Sequence, residues 1–82
     1  MRALILYSDV GIWEGLFIDG ELIYEDHNIS ERGPIFWLDI AENYGLKSKD
    51  IMYKEVVPED DKYLEERGSF PKRLDQLHGK YR

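Results

Sequence analysis

Trp13-Glu14-Gly15-Leu16-Phe17-Ile18-Asp19-Gly20-Glu21-Leu22-Ile23-Tyr24-Glu25-Asp26 decides the fold. Two apolar runs are joined by Asp19-Gly20, and both residues of that pair tolerate a positive φ. A two-residue loop of this kind favours a type I′ turn, whose twist matches that of paired strands. The stretch therefore predicts a β-hairpin with strands over 13–18 and 21–26. Ile18 should face Glu21, Phe17 should face Leu22, and Leu16 should face Ile23. This register puts Trp13, Phe17, Leu22 and Tyr24 on one side of the sheet. Leu16, Ile18 and Ile23 take the other side. Glu14, Glu21 and Glu25 interrupt it, so it reads as the solvent side.

Upstream, residues 3–7 are apolar throughout, as in a strand covered on both faces. Ser8, Asp9, Val10 and Gly11 supply turn chemistry. Downstream, Ser30 is an N-cap candidate and Pro34 suits a first helical turn. The main helix is predicted over 34–44. Phe36, Trp37, Leu38, Ile40, Ala41 and Tyr44 sweep about 200° of its circumference at ~100° per residue. Ile35 is stranded among Asp39, Glu42 and Asn43 on the polar side. Gly45 reads as the C′ residue and Leu46 as its apolar partner. So wide an arc calls for two covers, the sheet and the C-terminal segment.

Residues 51–57 predict a fourth strand, stopped by Pro58. Glu59, Asp60 and Asp61 then complement the dipole in the first turn of a helix that stops at Gly68. Leu74 and Leu77 mark a last short helical turn. The order β-β-β-α-β-α-α describes a small single α+β domain over 1–78, with a tail at 79–82 expected to fray. Its sheet is a three-stranded antiparallel meander plus a fourth strand, with one main amphipathic helix packed on it and short C-terminal helices. A right-handed crossover returning the fourth strand beside the first gives the order 3-2-1-4. A 2-1-3-4-like arrangement is the alternative.

A chain of 82 residues buries about 60–65% of the surface its unfolded form exposes. Its stability should be roughly 3–6 kcal/mol. Cysteine is absent, which excludes disulfides, thiolate chemistry and Cys-based zinc sites and suits a cytoplasmic setting. No apolar run reaches the ~20 residues of a bilayer span, and the N-terminus lacks a signal-peptide pattern. Residues 1–70 hold 16 acids against 7 bases, whereas residues 71–82 hold four bases and one acid. An acidic body disfavours direct nucleic-acid or anionic-membrane binding and suits a protein partner with a basic or mixed surface.

Candidate chemistry is sparse. Asp26-His27 adjoins an acid and an imidazole, but strand neighbours point to opposite faces and no nucleophile is tied to them. His27 is thus the centre of a secondary expectation, a small enzyme or ligand binder. No metal-ligand spacing, phosphate loop or cofactor motif is present. The carboxylates offer more. Glu14, Glu21 and Glu25 are expected on one sheet face, and Glu59, Asp60, Asp61, Glu65 and Glu66 on one short helix. Such rows imitate nucleic-acid phosphates in some proteins, or simply solvate a surface. The aromatic residues Trp13, Trp37, Tyr53, Tyr63 and Tyr81 exceed what so small a core can hold, so some should form contacts.

These features predict a non-enzymatic protein-binding module without cofactor or metal. Its expected contact residues are Trp13, Glu14, Glu21, Glu25, Ile35, Tyr53, Glu59, Asp60, Asp61 and Tyr63. A homodimer with a self-complementary edge or patch is a further expectation. In general character the chain resembles the small accessory proteins carried by phages and mobile elements, though no motif carries that likeness. The resemblance implies a stoichiometric inhibitor of a larger nucleic-acid-handling or defence protein.

Overall fold

The computed structural model describes residues 2–8 and 12–81; the Asp9, Val10 and Gly11 part of the expected turn, and Arg82 of the tail, lie outside them. Four strands form one sheet: β1 (Ala3–Ser8), β2 (Trp13–Ile18), β3 (Glu21–Asp26) and β4 (Ile51–Glu55). Their order is β3-β2-β1-β4. β1 pairs antiparallel with β2 and parallel with β4, so the 3-2-1-4 expectation describes the sheet. Helix α1 (Pro34–Tyr44) joins β3 to β4, and helix α2 (Pro58–Arg67) follows β4. Short 3₁₀ turns span Ile29–Glu31, Ser48–Asp50 and Leu74–Gln76.

The hairpin turn forms because Asp19 and Gly20 sit at φ 50° and 85°, as a type I′ turn requires. Beyond two pairs the register departs from expectation. A bulge lies between Leu16 and Phe17, and Leu16 faces Tyr24 rather than Ile23. One extra residue on β3 turns Tyr24 to the opposite side. The sheet faces change accordingly. Ala3, Ile5, Leu16, Ile18, Ile29 and Leu46 form one buried cluster, with Ile23, Tyr24, Phe36, Trp37, Ile40, Ala41 and Tyr44 packed on it. The side expected to meet solvent is therefore core beneath α1.

Leu4, Leu6, Phe17, Val56, Leu64, Phe70, Leu77 and Tyr81 form the second cluster on the other side. α2 and the C-terminal segment cover it. The central strand thus has two apolar faces because both are buried. The C-terminal segment does not serve as a second cover for α1. It also closes the β3 edge: the Leu22 N–H donates to the Lys72 carbonyl at 2.8 Å, and the Leu74 N–H to the Gly20 carbonyl at 2.7 Å.

The start of α1 corrects the sequence reading, and its far end follows it. Gly33, not Ser30, is the N-cap of α1, with Pro34 at its first position. At the far end Gly45 adopts φ 63°, and the Leu46 N–H reaches back to the Ala41 carbonyl at 2.9 Å, closing the helix in a Schellman-type turn.

Within the 79–82 tail expected to fray, Lys80 is exposed but Tyr81 is packed. Tyr81 is 4% exposed. Its hydroxyl donates to Asp60 and accepts the Val57 N–H at 3.1 Å. Asp60 also accepts the His78 and Gly79 N–H groups at 2.7 and 2.9 Å.

Candidate protein-interaction surface

The ten expected contact residues do not share one surface. Asp60 is 0% exposed and serves the C-terminal segment. Glu14 is also buried. It accepts the Ser30 N–H at 2.9 Å, the Ser30 hydroxyl, and the Tyr53 hydroxyl at 2.8 Å. Glu25 faces the other side of the sheet, where Oε1 accepts Trp13 Nε1–H at 2.8 Å and the Phe70 N–H at 3.0 Å. Glu14 and Glu25 therefore cannot join Glu21 in a row of surface carboxylates. Asp61 is half-buried and accepts the Ser8 hydroxyl at 2.6 Å. Tyr63 is half-buried beneath the Arg67 guanidinium, 4.7 Å from its ring centroid.

Glu21, Ile35, Tyr53 and Glu59 are exposed. Of these, Ile35 has a neighbour that the sequence reading placed in the core. Leu38 is 67% exposed and Ile35 77%. They lie one turn apart on the outer side of α1. Asp39 and Glu42, both exposed, fall within the same arc at helical spacing. The inner side of α1 is taken by Phe36, Trp37, Ile40, Ala41 and Tyr44. α1 thus carries apolar residues on both sides, and only one is covered by the fold.

His27 does not form an acid–base pair with Asp26. Its Nδ1 lies 2.8 Å from the Ile12 carbonyl oxygen, and its ring meets Trp13 edge-on at 4.7 Å. Asp26 turns instead to the His27 backbone N–H at 2.7 Å and to Arg32 at 2.6 Å. The His27 N–H holds the Asp26 carboxyl below the usual range, with smaller help from Tyr24 and Arg32 and a smaller opposing push from burial. A depression of about 190 Å³ beside Glu14 is lined by Tyr7, Ser8, Ile12, Asn28 and Tyr53. This falls below the ~300 Å³ at which small-molecule pockets begin. Among the described residues, no three His, Asp or Glu side chains converge as metal ligands would, and no helix is long and apolar enough to cross a membrane.

Two phenols are displaced upward. Burial, then the hydrogen bond to Asp60, raises Tyr81 well above its ordinary value. Burial, then the bond to Glu14, raises Tyr53. A proton held more tightly in the folded state stabilises that state below the unfolded phenol's value of about 10. The contribution disappears as pH climbs through the folded-state value. Urea unfolding measured from pH 8 upward should therefore show stability falling above about pH 10. Tyr81→Phe should flatten that fall; an unchanged slope would show that Tyr81 does not contribute to it.

No family model, curated protein or solved structure matches the chain.

Proposed function

We propose that the chain is a non-enzymatic protein-binding module that docks the outer side of α1 into a partner. The observation that supports this is Ile35 and Leu38 together, 77% and 67% exposed on one helical ridge. Asp39 and Glu42 beside them set the chemistry of the other side: an apolar groove rimmed by Lys or Arg. An amphipathic helix laid in a groove reads through anchors at such spacing. Burying each of the two side chains is worth about 1.5–3 kcal/mol. The acidic rim steers a basic partner and rejects an acidic one. The cysteine-free composition suits a reducing compartment, and we infer action in the cytoplasm.

The double variant Ile35→Glu/Leu38→Glu tests the reading. Neither side chain belongs to either buried cluster, so its circular dichroism and melting should match the parent. Both proteins are used as bait in the same cell extract, and a photoreactive cross-linker at position 39 identifies whatever lies against α1. The parent should cross-link one protein at that position, with retention falling as salt rises. The double variant should retain that protein at least tenfold less, the loss expected when two anchors go. Equal retention by both baits would overturn the proposal.

A further inference from the structure

β4 is the outermost strand on its side of the sheet. The Val56 N–H donates to the Tyr7 carbonyl at 2.9 Å, so even-numbered residues of this segment turn their backbone groups toward β1. Strand alternation then turns the N–H and C=O of Tyr53 and Glu55 away from the sheet. Among the described residues, no backbone group outside the sheet reaches those two. The opposite edge is treated differently, because residues 72–74 lie along β3 there.

The side chain best placed to screen the β4 edge does not do so. Tyr53 leans inward across β1, stacking on Tyr7 with centroids 4.7 Å apart and planes 14° from parallel. Its hydroxyl reaches Glu14 on β2. An edge left uncovered in this way is a template for another strand.

The charges choose the occupant. β4 carries one base, Lys54, and one acid, Glu55. A basic strand would set its charges against Lys54, and an acidic strand against Glu55. A second copy, running antiparallel about a two-fold axis at Tyr53, sets Lys54 opposite Met52 and Glu55 opposite Ile51. No like charges then stand directly opposite one another. Tyr53 faces the partner's Tyr53 as a hydrogen-bonded pair. The Ile51 N–H is held by the Ser48 carbonyl of its own chain, so at each end the Glu55 N–H donates to the Ile51 carbonyl of the other copy. We propose that two copies of this chain associate through β4, joining their four-stranded sheets into one. The contact is isologous, as a two-fold dimer requires. It does not depend on the α1 reading, since it leaves Ile35 and Leu38 free.

Five paired residues make a small interface, below the ~1,200 Å² of stable complexes, so dissociation should fall roughly in the 10–100 μM range. Each copy carries a net charge of −6. Screening that repulsion should make the dimer tighter as salt rises, whereas docking of a basic partner weakens. Sedimentation equilibrium from about 5 to 500 μM spans the dissociation range just given. The mass should climb from near the 9.7 kDa of one chain toward twice that. Glu55→Pro removes an outward N–H and should hold the mass at one chain, while Glu55→Ala should dimerise like the parent.

Amide exchange of the unaltered protein gives a second reading that does not require the proline variant to fold. Tyr53 and Glu55 should gain about three- to sixfold protection between the lowest and highest concentrations, the factor by which the monomer fraction falls for the dissociation range just given, and Lys54 should not. A constant monomer mass with unchanged exchange would overturn the proposal. So would a dimer that survives in folded Glu55→Pro, or one abolished by Ile35→Glu/Leu38→Glu instead.

Discussion

Asp60→Ala is expected to leave most of the chain unfolded at 37 °C, the largest effect of any single substitution considered. Asp60 is 0% exposed and lies in the first turn of α2. Three donors converge on it: the His78 N–H, the Gly79 N–H and the Tyr81 hydroxyl. They fasten the last residues of the chain against the cluster that holds Leu4, Leu6 and Phe17. Alanine would orphan all three donors at once. Each buried donor left unpaired costs about 1–3 kcal/mol. Some would recover water by letting the C-terminal segment lift, but lifting exposes Leu77 and Tyr81. A loss of about 3–5 kcal/mol follows either way, against a total of the same order for a domain this small.

The melting temperature should fall by roughly 15 °C or more. Asp60→Asn keeps one acceptor and the volume, and should lose about half as much. Thermal unfolding followed by circular dichroism separates these outcomes. If Asp60→Ala melts within a few degrees of the parent, the carboxylate does not fasten the C-terminal segment.

Asp60 also shows where reading the chain alone stops. Its place in Pro-Glu-Asp-Asp at a helix start gives a local reason for an acid, the dipole, and that reason is satisfied by Glu59 and Asp61 as well. What separates Asp60 from its neighbours is a set of donors 18–21 residues later, and no local pattern carries that information. Glu14 is similar: its partners Ser30 and Tyr53 come from two distant elements. Counting it as a surface charge followed from its type and led to the wrong solvent side for the sheet.

Features with local causes were legible. Asp19-Gly20 carries its own φ preference, so the hairpin could be read directly. Gly45 and Pro34 bound α1 for the same kind of reason. The bulge between Leu16 and Phe17 has no such local signal, and it moves Tyr24 across the sheet. Half of the candidate ridge was visible as well. Ile35 broke the helical period and stood out. Leu38 sat at the margin of the apolar arc, and only the absence of a second cover shows that it faces outward.

Gly15→Ala is expected to cost about 2–3 kcal/mol, although the ordinary preference for a side chain in a strand has the opposite sign. Removing a glycine from a strand interior normally stabilises it by about 0.5–1 kcal/mol. Here the Phe70 ring occupies the space a side chain would fill. A Cβ at position 15 would lie 2.6 Å from Cδ2 and 2.8 Å from Cε2 of that ring.

The ring has little room to yield. Phe70 is 4% exposed and meets Phe17 edge-on at 5.6 Å. Its backbone N–H is held by Glu25, which also holds Trp13. Accommodating one methyl group therefore means shifting the segment that carries Phe70, with the Glu25 bonds strained or lost. The discriminating measurement is a double-mutant cycle with Phe70→Leu, read by urea unfolding. Leucine is narrower at the point of contact, so Gly15→Ala should be much milder in that background. A coupling energy of about 1 kcal/mol or more is expected for two groups in direct contact. Additive costs would show that position 15 resists alanine for a reason other than the ring, and a stabilised single variant would show that no ring lies there.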